Sequence, residues 1–316
     1  MEESILLDVV LPVSLIIIMI GLGMSLQVKD FKRVLVDPKA IGVGLVNQIL
    51  LLPAIAVGLV LLFDLSPLWA VGFMLIAACP GGPTSNLITF VSRGDTALSI
   101  SLTAFSSLIT VITIPLILFL AIDLSGAAPA IFGTGADDIE IVYFGTAGDE
   151  AIQAPVVDII VQVIAVTAVP VTIGLLIRRY FPGFADRMDK PARIASAAIF
   201  LFVLATIIVD QREVLAEHFL SLSASTATLN VATMVVGFLT ARMAALDMRQ
   251  SITISIESGI QNGTLAIVIA MSILGAPEVA IPPGVYSLLM FLTGGALMFF
   301  FGLMRDPASF NRSARK

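Results

Sequence analysis

Nine apolar stretches follow one another along the chain, at roughly 5–27, 39–63, 67–92, 95–122, 155–177, 194–209, 217–241, 250–274 and 280–304. All but the short sixth approach or exceed the roughly 20 residues that a helix needs to cross a hydrocarbon layer. With 58% hydrophobic and 13% charged residues, little is left to cover a soluble surface. Inside lipid each segment must satisfy its own backbone, which helices do. The expectation is therefore an all-α polytopic membrane protein, a single transmembrane domain over 1–316 with about nine helices.

The charges order these spans. All of the 17 Lys and Arg except Arg212 fall on one side: Lys29, Lys32, Arg33 and Lys39, then Arg93, then Arg178, Arg179, Arg187, Lys190 and Arg193, then Arg242 and Arg249, and finally Arg305, Arg312, Arg315 and Lys316. The positive-inside rule makes that side cytoplasmic, so the N-terminus is expected outside and the C-terminus inside, in a bacterial or archaeal cell membrane. Met1, Glu2 and Glu3 lead straight into apolar sequence, without a signal peptide's basic region or cleavage site, so the first span is expected in the mature protein. Acidic residues gather opposite, mostly in a Gly- and Ala-rich connection at about 123–154, read as a solvated loop with a short strand at Ile139 to Phe144.

Two spans are interrupted. CPGGPTSN, Cys79 to Asn86, breaks the third with Pro80, Gly81, Gly82 and Pro83, and ESGIQN, Glu257 to Asn262, breaks the eighth around Gly259. Helix breakers beside polar side chains survive in hydrocarbon only where the freed groups bind something, and one such break in each half points to a transporter's ion and substrate site. The third span runs inward and the eighth outward, which suggests inverted repeats, spans one to four mirrored by six to nine. A carboxylate at Glu257 costs at least about 2.5–3.5 kcal/mol at mid-span, and no basic residue lies at its depth. It needs a cation or a proton. Taken alone, Ser99 and Thr103 also fit back-bonding within their helix, and Gln48 and Asn86 fit contacts between helices.

Several features together resemble the bile acid:sodium symporter family: the basic segment after GLGMSL, NQILLLP, CPGG followed by SNL, SRGD, and E-x-G-x-Q-N. The resemblance covers nearly the whole chain. It implies two crossing discontinuous helices and a core domain (about 39–122 and 217–304) beside a panel domain (about 5–27 and 155–209). Many bacterial members have ten spans; nine are expected here. Carried over residue by residue, a first Na⁺ site would use Ser85, Asn86, Ser99, Thr103 and Glu257. A second would use Gln48, Glu257, Gln261 and the carbonyls of Ser258 and Ile260. Substrate would lie beside Asn86 and Asn262, touching Thr84, Thr264 and Asn230. These hard oxygen donors suit an alkali cation.

Two Na⁺ beside one carboxylate leave a net +1, which a monoanion would neutralise. The expectation is a sodium-coupled symporter of an organic anion, bile-acid-like or a small carboxylate, with the lipid bilayer as its other partner and no nucleic acid. Proton-coupled and passive transport stay open. A metalloid exporter would depend on Cys79, the one thiol. An intramembrane protease would need His218, near an outer span end, or two mid-span Asp, which the chain lacks; no enzyme activity is expected. One Cys and one His far apart give no disulfide framework and no usual zinc, haem or iron–sulfur ligand set.

Overall fold

The computed structural model describes residues 11–27, 35–127, 155–210 and 212–303. These are helical, with no strand among them beyond one isolated bridge. In chain order the elements are α1 (Leu11–Ser25), α2 (Pro38–Val46), a π-helical turn (Asn47–Leu51), α3 (Leu52–Leu62), α4 (Pro67–Ala78), α5 (Pro83–Val91) and α6 (Thr96–Ser125). There follow α7 (Pro155–Tyr180), α8 (Pro182–Asp210), α9 (Arg212–Met243), α10 (Met248–Gly259), α11 (Gly263–Ser272) and α12 (Pro277–Leu303). Four continuous helical stretches among the described residues are long and apolar enough to cross a membrane: Pro38–Leu62, Thr96–Ile122, Ala216–Met243 and Pro277–Phe300.

The surface is apolar, and many polar side chains are buried within the apolar interior. Leu61, Leu62, Ile112, Leu116, Leu292 and Phe299 lie exposed, whereas Gln48, Ser85, Ser99, Thr103, Asn230 and Glu257 are buried. Water would drive the opposite arrangement; lipid accepts this one. The short helices α4 and α11 are buried along nearly their whole length, as expected for helices apolar on every face. At 12 and 10 residues they fall short of a bilayer's thickness. α12 packs on α4, α9 and α11, and α10 packs on α9. α1 packs chiefly on α7 and α8. Its contact with α7 is backbone against backbone, because a Cβ on Gly23 would meet the Val171 carbonyl and one on Gly174 the Ile20 carbonyl. Small residues permit such close approach between helices in lipid.

Some boundaries differ from the sequence reading. Arg187, Lys190 and Arg193, expected in a connection, lie within α8, which starts at Pro182 rather than near residue 194. Pro pre-sets the helical φ at a first turn, and exposed charges do not prevent a helix from continuing beyond lipid. α6 likewise runs to Ser125, past the expected loop start at 123. The strand expected at Ile139 to Phe144, and most of the acidic connection, fall outside the described residues.

Candidate functional site

The two breaks meet. α4 ends at Ala78 and α5 begins at Pro83; α10 ends at Gly259 and α11 begins at Gly263. Between them Cys79 (φ −69°, ψ 152°), Gly82 (φ −79°, ψ 153°) and Ile260 (φ −104°, ψ 92°) leave helical geometry. The two segments pair antiparallel, Gly81 opposite Gln261. Gly82 N donates to the Ile260 carbonyl at 2.9 Å and Asn262 N to the Pro80 carbonyl at 2.9 Å. Backbone groups stranded by each break are thus satisfied by the other, which removes the several kcal/mol penalty of leaving them bare. Gly81 leaves no room for a side chain: a Cβ there would stand 2.5 Å from Glu257 Oε2.

Glu257 sits two residues before the end of α10, buried. Ser85 Oγ donates to its Oε1 at 2.5 Å, Ser99 Oγ donates to the same oxygen, and Thr103 Oγ1 donates to Oε2 at 3.0 Å. The donors come from α5 and α6, with Ser99 and Thr103 on one helical face. A hydroxyl that donates its proton still carries two lone pairs, so the same three oxygens can also face a cation held by the carboxylate.

Beside this cluster lies an amide chain. Gln48 Nε2 donates to the Cys79 carbonyl at 3.1 Å and to Gln261 Oε1 at 2.6 Å. Gln261 Nε2 in turn reaches the carbonyls of Ser258 (2.9 Å) and Glu257 (3.3 Å). Gln48 belongs to the π-helical turn. Pro53, which lacks an N–H, follows that turn closely, and the widened turn re-registers the helix around the missing donor. The Ser258 hydroxyl returns to the Ile254 carbonyl at 2.8 Å, so only the Ser258 carbonyl faces the amides. The Ile260 carbonyl is taken by Gly82.

The remaining expected residues divide. Asn86 is half-buried, and its Oδ1 is sealed from solvent without a hydrogen-bond partner. Thr84 and Thr264 are half-buried. Asn262 Oδ1 caps α11 by accepting from Leu265 N at 3.1 Å. Asn230, expected near substrate, has its amide committed elsewhere: Nδ2 donates to the Gly259 carbonyl (2.6 Å) and meets Tyr286 Oη (3.2 Å), and Oδ1 accepts from Thr293 (2.6 Å). Tyr286 Oη also donates to the Gly259 carbonyl, at 2.9 Å. Sequence reasoning missed Tyr286, Thr293 and the π-helical turn; Pro53 was the one available signal for the turn.

Away from the breaks, His218 stacks edge-on against Trp69 (4.8 Å between ring centroids); at the first break, Cys79 is buried as a free thiol. No cluster of three or more His, Cys, Asp or Glu able to hold a metal occurs among the described residues. The donors around Glu257 are hydroxyls, amides and carbonyls, the hard ligands of alkali and alkaline-earth ions.

The family model described as the sodium bile acid symporter family matches residues 12–218. Over 292 residues the chain is 29% identical to a rice (Oryza sativa subsp. japonica) protein named a probable chloroplastic sodium/metabolite cotransporter, covering 92% of this chain and 64% of that one. It is 25% identical to a Bacillus subtilis protein named an uncharacterized sodium-dependent transporter, covering 89% of this chain and 79% of that one. It is 26% identical to the human ileal sodium/bile acid cotransporter, covering 83% of this chain and 69% of that one. The family is one of transporters, not enzymes, and its members sit in membranes. The chain belongs to the sodium bile acid symporter family.

Proposed function

We propose that this protein is a sodium-coupled symporter of an organic anion working by alternating access. The observation that carries the reading is the convergence of Ser85, Ser99 and Thr103 on the buried carboxylate of Glu257, where the two helix breaks pair. In this reading a first Na⁺ is held by Glu257, Ser85, Ser99, Thr103 and Asn86, whose Oδ1 has no other partner. A second Na⁺ is held by Glu257, Gln48, Gln261 and the carbonyls of Ser258 and Ile260. For the second site the Gln261 and Gln48 amides both turn over, so that Gln261 Oε1 faces the Ser258 carbonyl and Gln261 Nε2 donates to Gln48 Oε1. The Ile260 carbonyl uses its second lone pair.

The chain then has nine spans in inverted repeats, N-terminus outside, with core and panel domains as the family resemblance implies. α1, α7 and α8 form the panel, and the remaining helices form the core around the crossing. Two Na⁺ and one Glu257 carboxylate carry a net +1, which a monoanion neutralises. The positive ends of α5 and α11 favour a carboxylate near Asn86, Thr84, Asn262 and Thr264. Asn230 supports the break from behind. A tenfold Na⁺ gradient supplies about 1.4 kcal/mol per ion, and 100 mV about 2.3 kcal/mol for the net charge. Together they supply about 5 kcal/mol, enough to concentrate the anion several thousandfold.

Proteoliposomes tested against labelled monocarboxylates and bile-acid conjugates check the reading. Uptake driven by an inward Na⁺ gradient, absent with K⁺, is expected. Uptake driven by a pH gradient without Na⁺ would establish proton coupling through Glu257 instead.

A further inference from the structure

Glu257 belongs to a helix that cannot fix its own height. α10 is 12 residues long and ends two residues beyond the carboxylate, where the break begins. Its neighbours must therefore set how far along its axis Glu257 stands relative to Ser99 and Thr103. One residue outside the ion cluster does this. Thr253 lies one helical turn before Glu257 and is fully buried (0% exposed). Its Oγ1 donates to the Arg249 carbonyl at 2.9 Å, one turn back, as Thr in a buried helix usually does. The same oxygen also accepts from Asp95 N at 2.7 Å, across to a backbone 158 residues away.

Asp95 is the residue from which α6 starts. Its Oδ1 accepts from Leu98 N at 3.1 Å, capping the helix, and its carbonyl accepts from Ser99 N at 3.0 Å. Ser99 therefore stands one turn after Asp95, just as Glu257 stands one turn after Thr253. A helix rises about 6 Å over four residues, so the Thr253–Asp95 and Glu257–Ser99 contacts are successive rungs between two helices running in the same direction. Fixing the first sets the register of the second. The link from α5 is drawn to the same point: Gly94 N donates to the Thr89 carbonyl at 2.9 Å, and Asp95 N also reaches the Arg249 carbonyl at 3.3 Å. The rung is tight, since a Cβ on Gly94 would lie 2.7 Å from Thr253 Oγ1.

We infer that Thr253 is a positioning residue for the Na⁺ sites: its hydroxyl, engaged by Asp95 N, locks α10 against the start of α6 in the register that lays Glu257 against Ser99 and Thr103. This rests on the sodium reading proposed above. Thr253 itself touches no ion. A binding constellation works when its groups are held within about 0.5 Å of the productive geometry; a slipped register leaves the ion to reassemble them, which lowers affinity.

Thr253→Val keeps the shape of the side chain and removes the hydroxyl, and Thr253→Ser keeps the hydroxyl. Gly94→Ala presses on the same oxygen from the other side and covers the case in which Thr253→Val does not fold. Ser251→Ala is the control, a buried hydroxyl of α10 that donates within its own helix, to the Asp247 carbonyl. Two readouts are taken on purified full-length protein. One is the infrared band of the Glu257 carboxyl group in Na⁺-free buffer, identified by its loss in Glu257→Gln. The other is the Na⁺ concentration giving half-maximal thermal stabilisation. Thr253→Val and Gly94→Ala are expected to shift the band and to raise half-saturating Na⁺ about 2- to 12-fold, the worth of one hydrogen bond between uncharged groups. Thr253→Ser and Ser251→Ala are expected to match wild type in both. A lower unfolding temperature in Thr253→Val, with band and half-saturation unchanged, would make the residue merely structural and overturn the inference. Failure of the sodium reading shows separately, as a wild-type protein without Na⁺ response, and the band alone then decides the register.

Discussion

Replacing Gly81 by alanine probes the pairing of the two breaks directly. The added methyl would lie 2.5 Å from Glu257 Oε2 and 3.6 Å from Thr103 Oγ1. The backbone cannot retreat easily, because the Gly82–Ile260 and Asn262–Pro80 hydrogen bonds, each 2.9 Å, hold both sides of the pair. The carboxylate must therefore give, by about 0.9 Å to reach ordinary contact at 3.4 Å. That displacement disrupts the Thr103 bond to Oε2, now 3.0 Å. One hydrogen bond to a charged group is worth about 1.5–3 kcal/mol. If the loss appears wholly in ion binding, half-saturating Na⁺ rises about 10- to 150-fold. The assay is thermal stability of purified protein titrated with Na⁺ at constant ionic strength. Gly58→Ala is the control, since nothing lies within 4 Å of its Cβ position. A folded Gly81→Ala protein with wild-type Na⁺ half-saturation would refute the reasoning.

Other substitutions test neighbouring pieces. Ser258→Ala is expected to leave Na⁺ half-saturation near wild type, because its hydroxyl turns back to Ile254 and only its carbonyl is assigned to an ion; a large loss in the same titration would contradict that assignment. Gln48→Leu strands the Cys79 carbonyl and Gln261 Oε1, at about 1–3 kcal/mol for each buried acceptor. A lower Tm and weaker Na⁺ response should follow, and an unchanged protein would remove Gln48 from the site. Gly263→Ala drives a methyl into Ser287 Oγ, and overpacking of this kind costs about 1–3 kcal/mol. Unfolding temperature should fall and recover in the double variant with Ser287→Gly, whereas a fall that persists would place the strain elsewhere.

How far the sequence reached can be argued from particular residues. The breaks were legible because Pro and Gly in an apolar run have few explanations, and Glu257 because an unpaired carboxylate at mid-span has fewer still. Ser85, Ser99 and Thr103 entered only through the family resemblance, and the structure does bring them onto that carboxylate. The resemblance implied that the two broken helices cross, but the Gly81–Gln261 register was not legible, since which backbone groups pair depends on how six or more helices pack. Asn230 shows the same limit. A buried Asn reads as a binding residue in one dimension, yet its amide is consumed by Gly259, Tyr286 and Thr293, partners 29 to 63 residues away. Helix ends slipped where charged residues such as Arg187 continued a helix past its apolar segment.

The most direct test of the account is Na⁺ binding by purified wild-type protein and Glu257→Gln, read as thermal stabilisation against Na⁺ and K⁺. The substitution keeps the size of the side chain and removes its charge, so it separates ion coordination from packing. Selective stabilisation of wild type by Na⁺, lost in Glu257→Gln, is predicted. Stabilisation of both proteins alike, or of neither, would contradict the claim that this carboxylate holds the coupling ions.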